Sequence, residues 1–112
     1  MAGQDAQKWF EDGNRLYREG KHQEAVESYD KALGIDPKDA TAWYNRGVAL
    51  GHLGKHHEAV ESYDKALGID PRYARAWNNR GVALAKMGRY REASRSLDRY
   101  LKLTPGDAEA WN

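Results

Sequence analysis

The apolar positions between Thr41 and Leu67 follow two separate helical rhythms. Trp43, Gly47, Leu50 and Leu53 fall at i, i+4, i+7 and i+10, along one face of a helix. The rhythm stops at Gly54. Ala59, Val60, Tyr63, Ala66 and Leu67 then mark a new face at i, i+1, i+4, i+7 and i+8. The pattern predicts a first helix near 41–53 and a second near 57–68. Gly20, Gly54 and Gly88 stand where the first helix of each pair can end in a left-handed residue. Asp36-Pro37, Asp70-Pro71 and Thr104-Pro105 close the second helices, because proline lacks an N–H and disfavours helical geometry in the residue before it. Asp39 and Asp107 are placed to N-cap the helices that follow.

The same pattern recurs with a fixed period. Trp9, Trp43, Trp77 and Trp111 are spaced by 34 residues, as are Gly13, Gly47 and Gly81, and Pro37, Pro71 and Pro105. Residues 21–37 and 55–71 are the same seventeen residues apart from Gln23 against His57. Such a period signals tandem repeats. The units run over 6–39, 40–73 and 74–107, and 108–112 begin a fourth. One helix pair cannot bury its apolar face, so neighbouring units must cover each other, and about three are needed for stability. The duplicated stretch is then the second helix, whose face must fit the next unit every time. The Trp and Tyr rings are expected in the core, each worth roughly 1.5–3 kcal/mol when buried. Gly47 sits inside the first helix, where glycine costs about 1 kcal/mol against alanine. Its recurrence as Gly13 and Gly81 predicts close approach of the second helix near Ala59.

Composition narrows the function classes. The chain has 112 residues, a mean hydropathy of −0.96 and no cysteine, which excludes disulfides and thiolate zinc sites. No apolar run approaches the ~20 residues that span a bilayer, and the first residues lack a basic-then-apolar leader pattern. The expectation is a cytosolic protein without a membrane partner. Eighteen Lys and Arg nearly balance seventeen Asp and Glu, without the basic excess of a dedicated nucleic-acid binder. No nucleophile–base set and no phosphate-binding glycine loop can be read. His52 and His56 are interrupted by Gly54, and His22, His56 and His57 read as solvated turn residues rather than metal ligands. Glu27–Lys31 and Glu61–Lys65 read as helix-surface ion pairs. Neither an enzyme nor a metal or other cofactor is expected.

Trp43, Gly47, Leu50, Gly54, Ala59, Tyr63, Ala66 and Pro71 carry a family pattern. They resemble the tetratricopeptide repeat (TPR), W-x2-L-G-x2-Y followed by A, F/Y, A and P over 34 residues. The resemblance covers essentially the whole chain. Phrases such as AWYNRGVAL and EAVESYDKAL are similar to prokaryotic, especially archaeal, members and to idealised consensus repeats. Asp12, Arg46 and Arg80 replace the usual leucine before the first-helix glycine; arginine can pack its stem and leave its head in water. Leu97 replaces the second-helix tyrosine, and Tyr100 stands where Ala32 and Ala66 precede it.

The resemblance implies an all-α, right-handed superhelix (an α-solenoid) whose first helices line a concave groove for a protein or peptide partner. The groove positions carried over are Gln7, Phe10, Glu11, Asn14, Tyr17 and Arg18; then Thr41, Tyr44, Asn45, Val48 and His52; then Arg75, Asn78, Asn79, Val82 and Lys86. Amides would bond a peptide backbone and rings would hold its side chains. The alternative is a solvated face that only keeps the array soluble. The carboxylate clamp of chaperone-binding members matches at Asn14, Asn45 and Arg75, but Phe10 and Asn79 stand where two further cations belong. A competing reading concerns the end of the stack. Leu97, Tyr100, Leu101, Leu103 and Trp111 form an edge through which copies could associate, unless the chain is a fragment or an engineered array.

Overall fold

A computed structural model describes residues 2–104. Among them the backbone forms six helices and no strand: α1 (Ala2–Arg18), α2 (His22–Ile35), α3 (Ala40–His52), α4 (His56–Ile69), α5 (Ala74–Lys86) and α6 (Tyr90–Leu103). The boundaries of α3 and α4 fall within one residue of the sequence expectation. Asp107, Trp111 and the start of a fourth unit lie outside the described residues.

Each tight turn is built on a glycine. Gly20, Gly54 and Gly88 take φ values of 80°, 77° and 79°, a region that costs other residues steric strain. The turn lets Lys21 N–H reach Leu16 C=O at 2.9 Å and Gly20 N–H reach Tyr17 C=O at 3.0 Å, which satisfies two orphan carbonyls. Units two and three repeat both bonds. Between units, Asp39 caps α3: its carboxylate accepts from Ala42 N–H at 3.1 Å. At the matching place before α5 stands Tyr73, with no side-chain cap.

The helices pack as α1 on α2, α3 on α4 and α5 on α6, with α3 also on α2 and α5 on α4. The glycine inside each first helix meets its second helix closely, as expected, but in units one and two the nearest neighbour is a tyrosine ring rather than the alanine. A Cβ on Gly47 would lie 2.5 Å from Tyr63 Cε1, and one on Gly13 would lie 2.6 Å from Tyr29 Cε1. In unit three the smaller Leu97 fills this place, its Cγ 2.9 Å from a Cβ on Gly81.

Three expectations about side chains need correction. Trp9, Trp43 and Trp77 are only half-buried, whereas Tyr29 and Tyr63 are in the core. An indole N–H needs a partner, and those of Trp43 and Trp77 donate to the carbonyls of Pro37 and Pro71 at 2.8 Å, which holds the rings at the unit boundary. The arginine heads are not left in water. Arg46 donates to Asp30 at 2.6 Å and to the buried Ser62 at 2.7 Å, so it ties the preceding second helix to its own. Arg80 repeats this with Asp64 and Ser96. The expected ion pairs are also replaced: Lys31 stands 4.3 Å over the Trp9 ring, and Glu61 faces His57 at 3.4 Å.

Candidate functional site

Of the first helices α3 contacts both α1 and α5, whereas α2, α4 and α6 contact only first helices. The stack therefore curves with the first helices on its inner side. Residues four or seven apart on those helices project from that side as a row per unit.

The rows are joined by hydrogen bonds across units. Asn45 donates to Asn14 at 3.1 Å, and the same Asn14 oxygen accepts from the Tyr29 hydroxyl at 2.5 Å. Asn79 donates to the Tyr44 hydroxyl at 3.0 Å and accepts from Asn78 at 3.4 Å. The Tyr17 hydroxyl and His52 Nε2 are 2.8 Å apart. These side chains fix each other's orientation and spend part of their capacity doing so. An asparagine has two amide hydrogens and two lone pairs, so Asn14, Asn45 and Asn79 each keep some for a ligand.

Two clefts open along this seam. One, of about 210 Å³, is lined by Val48, His52, Tyr63, Asn79, Val82 and Lys86, among others. The smaller, of about 110 Å³, is lined by Asn14, Tyr17, Arg18, Tyr29, Asn45 and Val48. Val48 belongs to both. Phe10, Tyr44, Arg75 and Asn78 line neither. Phe10 instead packs toward Tyr29, with ring centroids 6.1 Å apart. Gln7 and Glu11 bond each other at 2.9 Å on the exposed side of α1.

The phenols record how dry the seam is. Burial, reinforced by the nearby Tyr17 phenol, pushes the Tyr29 hydroxyl up to about 12. Burial raises Tyr63 as well. It also raises Tyr44, with the Tyr73 phenol adding to it and Arg75 opposing. Tyr73, from the loop before α5, was not among the sequence candidates. Its ring stacks on Tyr44 with centroids 5.0 Å apart and planes 26° apart. His22 was also missed, having been read as a solvated turn residue. It is half-buried and stacks on His52 at 4.7 Å, while Tyr17 packs against both rings. The signal was present: His22 opens α2 beside the end of α1, and His52 ends α3, one unit along. Among the described residues no group of three or more His, Asp or Glu is disposed to hold a metal ion.

Models of the TPR repeat match residues 13–54, and models of the tetratricopeptide repeat match 40–73 and 74–107. The chain belongs to the tetratricopeptide repeat family. Its all-α TPR solenoid is shared with solved TPR domains. The second TPR of Spaghetti (RPAP3), bound to the HSP90 peptide SRMEEVD, is 30% identical, with a TM-score of 0.87 over 90% of this chain and 94% of that one. The second TPR domain of human RPAP3, in complex with the HSP70 peptide SGPTIEEVD, is 29% identical, with a TM-score of 0.91 over 95% and 88%. The Arabidopsis OM64 TPR domain is 28% identical, with a TM-score of 0.92 over 95% and 88%. No curated protein matches the sequence. Among the described residues of this TPR array, no helix is long and apolar enough to cross a membrane.

Proposed function

We propose that the array is a non-catalytic scaffold that binds a peptide segment of a partner protein along α1, α3 and α5. The observation that carries this reading is the seam of Asn14, Asn45, Tyr44 and Asn79, linked across three helices and bordered by two clefts that meet at Val48. Amides with spare capacity can bond an extended peptide backbone, and the clefts can take its side chains. The solved relatives bound to HSP90 and HSP70 peptides support peptide binding as the mode.

The anchor differs from a carboxylate clamp. Of the cation positions, only Arg75 is filled by a cation. Phe10 and Asn79 cannot supply the charge-assisted bonds that a terminal carboxylate needs. Recognition then rests on the interior of the peptide.

A display library of random peptides with free and blocked C-termini tests both statements. Converging sequences are expected, with amidation of the C-terminus costing less than about tenfold in affinity, or about 1.4 kcal/mol. Asn45→Ala and Val48→Arg should each abolish enrichment. No enrichment from a folded sample would remove the groove reading, and a larger amidation penalty would restore the clamp.

A further inference from the structure

The two clefts on the inner side share one sign of charge. Arg18, His52 and Lys86 are the last residues of α1, α3 and α5, and they recur at intervals of 34. Arg18 lines the smaller cleft. His52 and Lys86 line the larger, together with His56 at the start of α4. All four are basic, and no Asp or Glu lines either cleft. Among the described residues, Arg18 and Lys86 have no carboxylate at ion-pair distance. Of the groove positions only Glu11 is acidic. It lies about two turns before Arg18 on α1 and is bonded to Gln7.

Helix capping does not account for these cations. A cation anywhere on the last turn suits the helix dipole, but the last carbonyls are already taken. Leu16, Leu50 and Leu84 accept from the N–H of Lys21, Lys55 and Arg89 at 2.9–3.0 Å. Tyr17, Gly51 and Ala85 accept from the turn glycines at 3.0 Å. Arg18, His52 and Lys86 are exposed and stand on the side that opens into the clefts. The charge acts there: Arg18 opposes the upward shift of the Tyr29 phenol in the smaller cleft.

We infer that the peptide taken by this seam is acidic in its interior, with carboxylates three residues apart facing Arg18, His52 and Lys86. The inference rests on the peptide-binding reading above. The amides of the seam suit a backbone without hydrogen bonds of its own. In a polyproline II peptide every third side chain returns to the same side after about 9 Å. Packed helices lie about 8–10 Å apart, so one carboxylate meets one unit. A β-strand returns to the same side after about 7 or 13 Å and misses that spacing. None of the three basic residues holds a clamp position, so no terminal carboxylate is required.

The test runs a random peptide display library with blocked C-termini against three forms of the full chain. They are the wild type, Arg18→Glu with Lys86→Glu, and Arg95→Glu with Lys102→Glu. The last pair changes the net charge equally on the exposed side of α6, away from the seam. Circular dichroism verifies that each form is folded. The wild type and the α6 variant should enrich Asp or Glu at intervals of three, and the groove variant should lose that enrichment. Replacing those residues of a selected peptide by Asn or Gln should weaken its binding to the wild type about tenfold. Converging peptides without acidic residues at this spacing overturn the inference and leave the groove reading standing. So does acidic enrichment that survives in the groove variant. Equal loss in the α6 variant marks a general charge effect and overturns it as well. No convergence from the folded wild type removes both readings.

Discussion

The helices α4 and α6 occupy the same place in successive units, yet they sit in different surroundings. In α4, Ala59, Val60, Ser62, Tyr63, Ala66 and Leu67 are all buried, with α3 on one side and α5 on the other. In α6 only Ala93 and Ser96 are buried, and both belong to the side facing α5. Val60 becomes Ser94, and Tyr63 becomes Leu97 against the glycine of its own unit; Leu67 is kept as Leu101 but is exposed. The comparison separates two jobs of one sequence motif. The inward positions close the helix pair: Ala59 and Ser62 are kept as Ala93 and Ser96, and Tyr63 gives way to the smaller apolar Leu97. The outward positions join units, and among the described residues no further helix packs on those of α6.

The largest contrast is expected at the ring that fills the glycine notch. Tyr63→Ala should cost about 3–5 kcal/mol, as for other buried aromatics, while Leu97→Ala should cost well under half of that, since Leu97 is already half-exposed. Urea midpoints of both variants check this, and equal losses would break the distinction between middle and end units.

Next come the notches themselves. Gly47→Ala places a methyl against a ring that cannot retreat, and a loss of about 1–3 kcal/mol is expected from overpacking. Gly81→Ala meets Leu97 Cγ at 2.9 Å and the Ala93 carbonyl oxygen at 3.2 Å, and because Leu97 is only half-buried the gain in helix propensity of about 1 kcal/mol offsets part of a smaller strain. Thermal melts that rank the two in the opposite order would show that the notch in unit three is as rigid as that in unit two.

A smaller effect is expected for the arginine bridges. Arg46→Met keeps the stem but leaves Ser62 without its donor, at a cost of about 1–2 kcal/mol. The exposed Asp30 contributes little of this. A double-mutant cycle of Arg46→Met with Ser62→Ala should recover most of the loss; additive losses would place the energy elsewhere.

The last contrast appears only in alkali. Unfolded tyrosine ionises near 10, whereas burial holds Tyr29 up to about 12 and raises Tyr63 too. A group whose folded pKa is raised stabilises fully below the unfolded value and loses that contribution as pH rises through the folded one. Stability should therefore fall between about pH 10 and 12. Tyr63→Phe should flatten the fall, and Leu97 in unit three has no proton to contribute. Denaturation midpoints across that range measure the slope, and an unchanged slope in the variant would locate the titration in other groups.

The sequence alone determined the helix pairs, the boundaries of α3 and α4 and the left-handed glycines. All of these repeat at a fixed distance along the chain, and local geometry is set by residues within one turn of each other. The family resemblance, not the spacing, pointed to the row of Asn14, Asn45, Asn79 and Tyr44. Only the tertiary structure decided what those residues do. Asn14 meets Asn45, and Tyr17 and His22 meet His52, across 30 or more residues of chain. Such contacts depend on the curvature of the stack, which no single period encodes. The tryptophans went to the unit boundary and the arginine heads to Asp30, Ser62, Asp64 and Ser96 because buried N–H groups and charges must find partners, and those partners lie on neighbouring helices. Burial follows the same rule. Leu67 and Leu101 are the same letter at the same position, and only the presence of α5 beside the first makes one core and the other surface.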